Sequence, residues 1–241
     1  MNDAALARAF EATWPPAEVA QVGGFAVGRG AGAGGRVSSA RAVGDWSEQD
    51  IAAAEACHAG WNQRSLFRAW DGETALIRAL EARGYRAEIP TLVMAAPVAA
   101  LTDRPLPRVT TFAVWPPLAI QRRIWEAGSI NPARQAVMER AGPDKAALLG
   151  RLRDRAAAAG FVALEGDVAM LHALEVLPDF RRQGLAGWML RQAAFWAAER
   201  GASRLALAVS RANKTAQALY LRHGLTEVAS YAYYARPETQ G

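Results

Sequence analysis

Cysteine occurs once in this chain of 241 residues, at Cys57, which excludes an intrachain disulfide. Cys57 closes the alanine-rich run Ile51–Cys57, which reads as a buried helix face, so a structural thiol is expected there and not a nucleophile. Lysine is nearly missing: Lys145 and Lys214 are the only two, and arginine supplies every other base. No arginine run exceeds the pairs Arg122-Arg123 and Arg181-Arg182. The net charge of +5 and pI near 9.9 therefore mark no nucleic-acid face, and no such partner is expected. No stretch reaches the roughly 18 uncharged apolar residues of a membrane helix. The start, Met1–Arg8, lacks the apolar core of a secretory signal, so a cytoplasmic location is expected. Neither metal-ligand spacing nor a recognisable Ser-His-Asp arrangement is present, so no metal is expected. What remains is an ordinary globular composition, 51% hydrophobic and 21% charged, long enough for one large domain or two small ones.

The most informative run is Val176-Leu177-Pro178-Asp179-Phe180-Arg181-Arg182-Gln183-Gly184-Leu185-Ala186. An apolar strand ends at proline, a turn rich in arginine and glycine follows, and an amphipathic helix begins. Small residues at Gly184, Ala186 and Gly187 leave backbone N–H groups open, and a helix N-terminus adds partial positive charge. Arg181 and Arg182 add full charges suited to phosphate oxygens. The expected ligand carries phosphates.

Two segments repeat at a fixed offset. Gly84 and Gly224 lie 140 positions apart, and so do Pro97 and Pro237. Each glycine suits the left-handed position after a helix, and each proline follows a strand. Strand Ser65–Trp70 matches Arg204–Val209, and helix Ser47–Gly60 matches Gly187–Arg200. Two related α/β halves follow, 1–103 and 104–241, joined through Pro97, Pro105 and Pro107. In the second half the pattern predicts strand Val109–Trp115, helices Leu118–Ala127 and Pro132–Ala141 with Asn131 as N-cap, and strands Ala146–Leu152, Ala157–Leu164 and Val168–Val176. Helix Gly187–Arg200, strand Leu205–Val209, helix Lys214–His223 and strand Val228–Tyr234 complete it. Residues Arg151–Ala159 favour helix by propensity but are read as the two arms of a hairpin.

The second half, about residues 106–237, resembles the GNAT acyl-CoA N-acyltransferases. Val176-Leu177-Pro178 with Arg181-Arg182-Gln183-Gly184-Leu185-Ala186 follows their Val-x-Pro and Arg/Gln-x-x-Gly-x-Gly/Ala signature. Asn213-Lys214-Thr215-Ala216-Gln217-Ala218-Leu219-Tyr220-Leu221-Arg222-His223-Gly224-Leu225 follows their second element. The resemblance implies an α/β (α+β) fold of two GNAT-like halves, each a mixed, mostly antiparallel sheet flanked by helices. It implies acetyl-CoA as cosubstrate, with the backbone of Leu174, Glu175 and Val176 pairing with the pantetheine arm. Arg181, Arg182, Gln183, Gly184, Leu185, Ala186 and Gly187 would wrap the pyrophosphate, and Asn213 would hold the cofactor arm or the helix start. Tyr220 would protonate the leaving thiolate. His172 is the first candidate for the base, because Leu171–Val176 is close to the matching strand of the arylalkylamine N-acetyltransferases; Glu175, through water, is the second. Strand alternation places His172 on the face of Leu174 and Val176, with Glu175 opposite unless a bulge intervenes.

The activity so implied is acetyl transfer to a primary amine, that of a small molecule in the leading reading, by direct attack in a ternary complex. A protein N-terminus or lysine is the alternative acceptor, and a non-catalytic CoA-binding module is the reading from another class. A monomer or homodimer fits either. The first half reads as a degenerate copy. Leu80 stands in place of Tyr220, Arg41 and Gly44 fall in register with Arg181 and Gly184, and Trp46 takes the place of Ala186, so one active site per chain is expected. Gly30-Ala31-Gly32-Ala33-Gly34-Gly35 satisfies a dinucleotide fingerprint, but Arg36–Ala40 reads as strand and not as the start of a helix, so a hairpin loop is expected there. Trp115, Trp125, Tyr231, Tyr233 and Tyr234 hint at an aromatic acceptor wall.

Overall fold

The computed structural model describes residues 3–237. The first half runs α1 (Ala4–Ala12), β1 (Glu18–Val22), β2 (Phe25–Arg29), the single turn α2 (Gly35–Ser38), β3 (Ala40–Ala42), α3 (Glu48–Gly60), β4 (Leu66–Trp70), α4 (Thr74–Ala82) and β5 (Arg86–Pro97). A short α5 (Val98–Leu101) leads to β6 (Thr111–Val114), α6 (Ala119–Ala127), α7 (Pro132–Arg140), β7 (Lys145–Leu152), β8 (Arg155–Glu165) and β9 (Val168–Val176). After a 3-10 turn at Pro178–Phe180 come α8 (Leu185–Ala198), β10 (Arg204–Ser210), α9 (Lys214–Arg222) and β11 (Thr226–Ala235).

Local chemistry explains several boundaries. The Asn131 side chain accepts the Arg134 N–H at 2.9 Å, with Pro132 opening α7. The alanine-rich stretch 151–159 forms a hairpin, because Arg153 and Asp154 both take positive φ and the arms pair along β7 and β8; cross-strand pairing outweighs helix propensity. The repeat is visible in backbone detail. Gly84 and Gly224 have φ of +83° and +85°. The Tyr85 N–H reaches Leu80 O at 3.0 Å, as the Leu225 N–H reaches Tyr220 O at 3.1 Å. These are two copies of one helix stop.

All strands join one sheet, in the order β1-β2-β3-β4-β11-β5-β10-β9-β8-β7-β6. Among the described residues, only β3–β4 and β9–β10 run parallel. The repeat predicts that β4 precedes β5 in its half as β10 precedes β11, yet each final strand lies in the other half. β11 sits between β4 and β5, while β5 sits between β10 and β11. A boundary at residue 103 therefore describes the repeat but does not divide the sheet. Helices α3, α4, α8 and α9 cover one face, where Leu92, Met94 and Leu207 pack under α8 and Phe67, Ala232 and Tyr234 pack under α3 and α4. Helices α1, α6 and α7 cover the other, over Val93, Met170, Phe161 and Tyr231.

Two expectations for the first half are corrected. Gly35–Ser38 is a helical turn, not a strand, because the Val37 N–H reaches back to Gly34 O; only Ala40–Ala42 is strand. The element after it is antiparallel to β2, so no strand–glycine–helix crossover forms around the glycines. Arg41 also does not correspond to Arg181. The parallel pairs align Ala40 with Phe67 and Leu171 with Leu207, which makes Arg41 the counterpart of His172. From Ala40 to the start of α3 is 8 positions, against 14 from Leu171 to the start of α8. The arginine-bearing turn has no counterpart of equal length in the first half.

The strand exchange predicts that the halves unfold together, since neither keeps a complete sheet without the other. Urea unfolding followed by tryptophan fluorescence and by far-ultraviolet circular dichroism is expected to give coincident single transitions. Two separated transitions would contradict this.

Candidate active site

Strands β9 and β10 pair only through Leu171–Leu207. Beyond that point they part, leaving the edge of β9 from His172 to Val176 without a partner on the β10 side. A bulge marks the parting: Ala173 has φ of +50°, and the register against β8 shifts between Ala159 and Phe161. The Trp125 indole N–H pins the bulge by donating to Ala173 O at 2.9 Å. The extra residue changes which way side chains face. His172 pairs with Phe161 and Glu175 with Ala159, so His172 and Glu175 share the α6–α7 face, while Leu174 and Val176 pack toward α8. Simple alternation, which sets His172 with Leu174 and Val176, is overturned by the bulge.

The arginine-bearing turn lies beside this parting. Arg182 and Gly184 both adopt positive φ, +62° and +84°. Gly184 caps α8 without any side-chain hydrogen bond, and the first turn of α8 holds no acid. Among the described residues, the N–H groups of Arg182 to Ala186 make none of the chain's turn or cap hydrogen bonds. The Arg181 guanidinium donates to Val176 O at 2.8 Å and to the Glu175 carboxylate at 3.0 Å, while Arg182 is exposed. Gln183 accepts from Arg153 and donates to Asp179 O. An α-helix start with open donors and a left-handed approach is a cradle for a multiply charged anion. Gly187 faces the His223 ring so closely that a Cβ there would lie 2.7 Å from its Nε2. The matching helix start in the first half is closed. Ser47 and Asp50 form a capping box at α3, and Glu48 adds a second acid to that turn.

Asn213 caps α9, accepting the Ala216 N–H at 3.0 Å. Tyr220 lies buried on α9 in the cluster that holds Leu171, Leu207 and Val209. Burial pushes its phenol up to about 12, so it keeps its proton throughout the neutral range.

His172 is buried between Trp14 and Phe161, with ring centroids 5.0 and 6.0 Å away. Its Nε2 lies 2.9 Å from Thr13 Oγ1, and that hydroxyl already donates to Ala9 O at 2.6 Å. Nε2 therefore carries the proton. Nδ1 faces the Arg36 guanidinium at 3.4 Å. Desolvation and the Arg36 charge hold the imidazole well below its ordinary value. Glu175 differs: one carboxylate oxygen meets Arg181, and the other lies against Gly128 at the end of α6, where a Cβ would collide with it.

Arg36, Thr13, Trp14 and Arg134 were not indicated by any motif. They reach this face from three elements: Arg36 from α2, Thr13 and Trp14 from the turn after α1, and Arg134 from α7. The signal available was the glycine-rich loop preceding Arg36, whose Gly32 packs near Ala133. Trp125 and the tyrosines of β11 are buried.

Residues 115–225 match the Acetyltransferase (GNAT) family. Over that segment the chain is similar to the family. Over 72 residues it is 33% identical to the aminoglycoside N(6')-acetyltransferase type 1 of Klebsiella aerogenes, a match covering 30% of this chain and 47% of that enzyme. The chain thus spans about half the length of the curated relative it matches. Solved structures share the fold far more widely. A GCN5-related N-acetyltransferase from Kribbella flavida superposes with a TM-score of 0.74 at 17% identity, over 98% of this chain and 94% of that one. A tandem GNAT protein from the clavulanic acid biosynthesis pathway does so at 0.62 and 13% identity, over 92% and 84%. The mixed α/β architecture is that of GNAT structures, and the arginine-bearing turn and Tyr220 both fall inside the matched segment.

Because His172 is held neutral in the folded protein but ionises near 6.5 when unfolded, acid favours the unfolded chain. Stability is expected to fall as pH drops below about 6.5. His58 and His223 are also lowered, chiefly by desolvation, so each histidine contributes. His172→Gln is expected to flatten the fall in urea midpoint between pH 7 and 5.5; an unchanged slope would show that His172 is not desolvated.

Proposed function

We propose that this chain transfers an acetyl group from acetyl-CoA to a primary amine, by direct attack within a ternary complex at the parting of β9 and β10. The observation that carries this reading is the uncapped, acid-free start of α8 next to an unpaired strand edge. Acetyl-CoA is the cosubstrate of the GNAT family, and these residues fit it. The N–H groups of Arg182 to Ala186 would receive the pyrophosphate, with Arg181 and Arg182 adding charge. The free edge of β9 at Leu174, Glu175 and Val176 would pair with the pantetheine amides as an added strand. Bound there, acetyl-CoA supplies the acyl group as a thioester.

The remaining work falls to the chain's own groups. Unpaired N–H groups of β9 next to the bulge would stabilise charge developing on the carbonyl oxygen. Tyr220, protonated up to about 12, would donate a hydrogen bond to the departing sulfur. Thiols ionise near 8.5, so complete transfer from this phenol is uphill and stabilisation of the thiolate is its larger share. The amine must lose a proton before attack. His172 is poorly disposed to take it, because one nitrogen donates to Thr13 and the other faces a guanidinium. Glu175, on the same face and with one oxygen free of Arg181, is the better acceptor, through water. His172 then acts as a positioning residue that ties α1 to β9.

One site per chain is proposed, because the capping box at α3 occupies the donors that α8 leaves open and Leu80 replaces the phenol. Small-molecule amines are the favoured acceptors; a protein N-terminus or lysine is the second reading.

Calorimetry is expected to show one acetyl-CoA bound per chain; none, or two equivalent sites, would overturn the assignment. In a thiol-release assay, Tyr220→Phe is expected to reduce kcat about 10- to 100-fold with little change in acetyl-CoA affinity. Glu175→Gln should lower kcat by a comparable factor, and His172→Gln should lower it far less. The reverse pattern would restore His172 as the base.

A further inference from the structure

Three arginines gather on the face that His172 and Glu175 share, one buried and two half-buried. Arg36 stacks on the Phe10 ring, 3.6 Å from its centroid, donates to Phe10 O and meets His172. Arg68 is 1% exposed, sits directly across from Tyr233, and is boxed by Phe10, Trp70 and Tyr231. Arg134 reaches the same place from α7, where it donates to Ser129 O at 3.0 Å. Gly35, the neighbour of Arg36, lies against the Tyr233 ring, and Ala133, the neighbour of Arg134, lies near Gly32 in the same loop. Both guanidiniums feel the Tyr233 oxygen.

A single carboxylate answers them. Glu11 pairs with Arg68 and is shared with Arg41 at 3.1 Å. Desolvation acts to raise the Glu11 carboxyl, but Arg68 and Arg41 outweigh it and hold it below the usual range. Among the described residues neither Arg36 nor Arg134 forms a salt bridge, and Arg36 feels only the more distant charge of Glu11. The Nε groups of Arg36 and Arg134, and Nε and Nη1 of Arg68, are buried without any hydrogen-bond acceptor. Desolvation lowers both Arg36 and Arg134. Uncompensated buried donors and charges are costly, and native interiors rarely keep them without a partner. Arg68 is caged by rings and has its counter-ion. Arg36 and Arg134 each have an unpaired donor and no salt bridge among the described residues, and Arg36 touches the residue beside the bulge.

We propose that the amine accepted here carries a carboxylate, received by Arg36 and Arg134 beside the Tyr233 hydroxyl. The inference rests on the acetyl-transfer reading and deepens it, since it names the chemistry of the acceptor. A polyamine would be repelled by the same face, whereas an amine with a carboxylate a few bonds away would be attracted and oriented with its nitrogen toward Glu175. The carboxylate would answer two partly desolvated guanidinium charges that have no salt bridge among the described residues, so binding would offset a cost already present in the free protein.

Two measurements on the full chain test this. In the first, thiol release from acetyl-CoA is compared for amino acids and for the matching amino acid amides. The acids are expected to lead by roughly 100-fold in kcat/KM. Arg134→Gln should erase that lead through KM, with acetyl-CoA affinity unchanged, and Arg134→Lys should restore part of it. Equal rates for acid and amide, or a lead that survives Arg134→Gln, would overturn the proposal. The second needs no coenzyme: N-acetyl amino acids and their amides are titrated into the protein by calorimetry. Binding of the acids alone, lost in Arg134→Gln, supports the carboxylate site even if acetyl-CoA does not bind. Failure of every N-acetyl amino acid to bind sinks it, whatever acetyl-CoA does. Arg36→Gln is the weaker variant because Arg36 also anchors Phe10.

Discussion

Everything at this site depends on two parallel strands that stop pairing. β9 and β10 separate after Leu171–Leu207 because an extra residue in β9, Ala173 at φ +50°, bends it away from its neighbour. A bulge costs ladder hydrogen bonds and places a non-glycine residue in a left-handed conformation, a strain of order 1–3 kcal/mol. It persists because the Trp125 indole takes the Ala173 carbonyl and α8 packs beneath the strands. In return, an interior strand gains an unpaired edge. The edge is what a strand-like ligand can join, and the start of α8 lies at its end.

The same bend decides which side chains meet. By inserting one residue, it turns Glu175 onto the face of His172 and leaves Leu174 and Val176 over the apolar core. The catalytic assignment changes accordingly. In the proposed reaction a histidine locked between Thr13 and Arg36 would be a structural tie, and the Glu175 carboxylate on the same face would accept the proton. The distinction rests on hydrogen-bond direction: the Thr13 hydroxyl has already given its proton to Ala9 O, so Nε2 must be the donor.

The strand exchange adds a second dependence. Because β11 crosses into the first half, its Tyr231 and Tyr233 stand next to Arg68, and α1 of the first half packs on β9 of the second. The first half therefore contributes side chains to the face beside β9, whereas the cradle proposed for the coenzyme lies wholly in the second. Its own cradle is absent in length, and its corresponding helix start is neutralised by Ser47, Glu48 and Asp50.

Local order was largely legible from the chain. Helix stops at Gly84 and Gly224, the Asn131 and Asn213 caps, the arginine-bearing turn and the hairpin at 151–159 all depend on interactions between residues a few positions apart. Residues 4–29 announced little: α1, β1 and β2 are short, and Phe10, Thr13 and Trp14 acquire meaning only against β9 and Arg36. The register of β9 against β8 was beyond reach as well, because a bulge is a compromise between two strands and not a property of one. Likewise, Arg36 and Arg134 look like any surface arginines among many, and their burial depends on which elements cover them. The residue types and their spacing along the chain determined that a helix start would be open to an anion. Only the folded sheet decided what faces it, because charge, burial and hydrogen-bond direction at one point are set by segments that sequence separation keeps far apart.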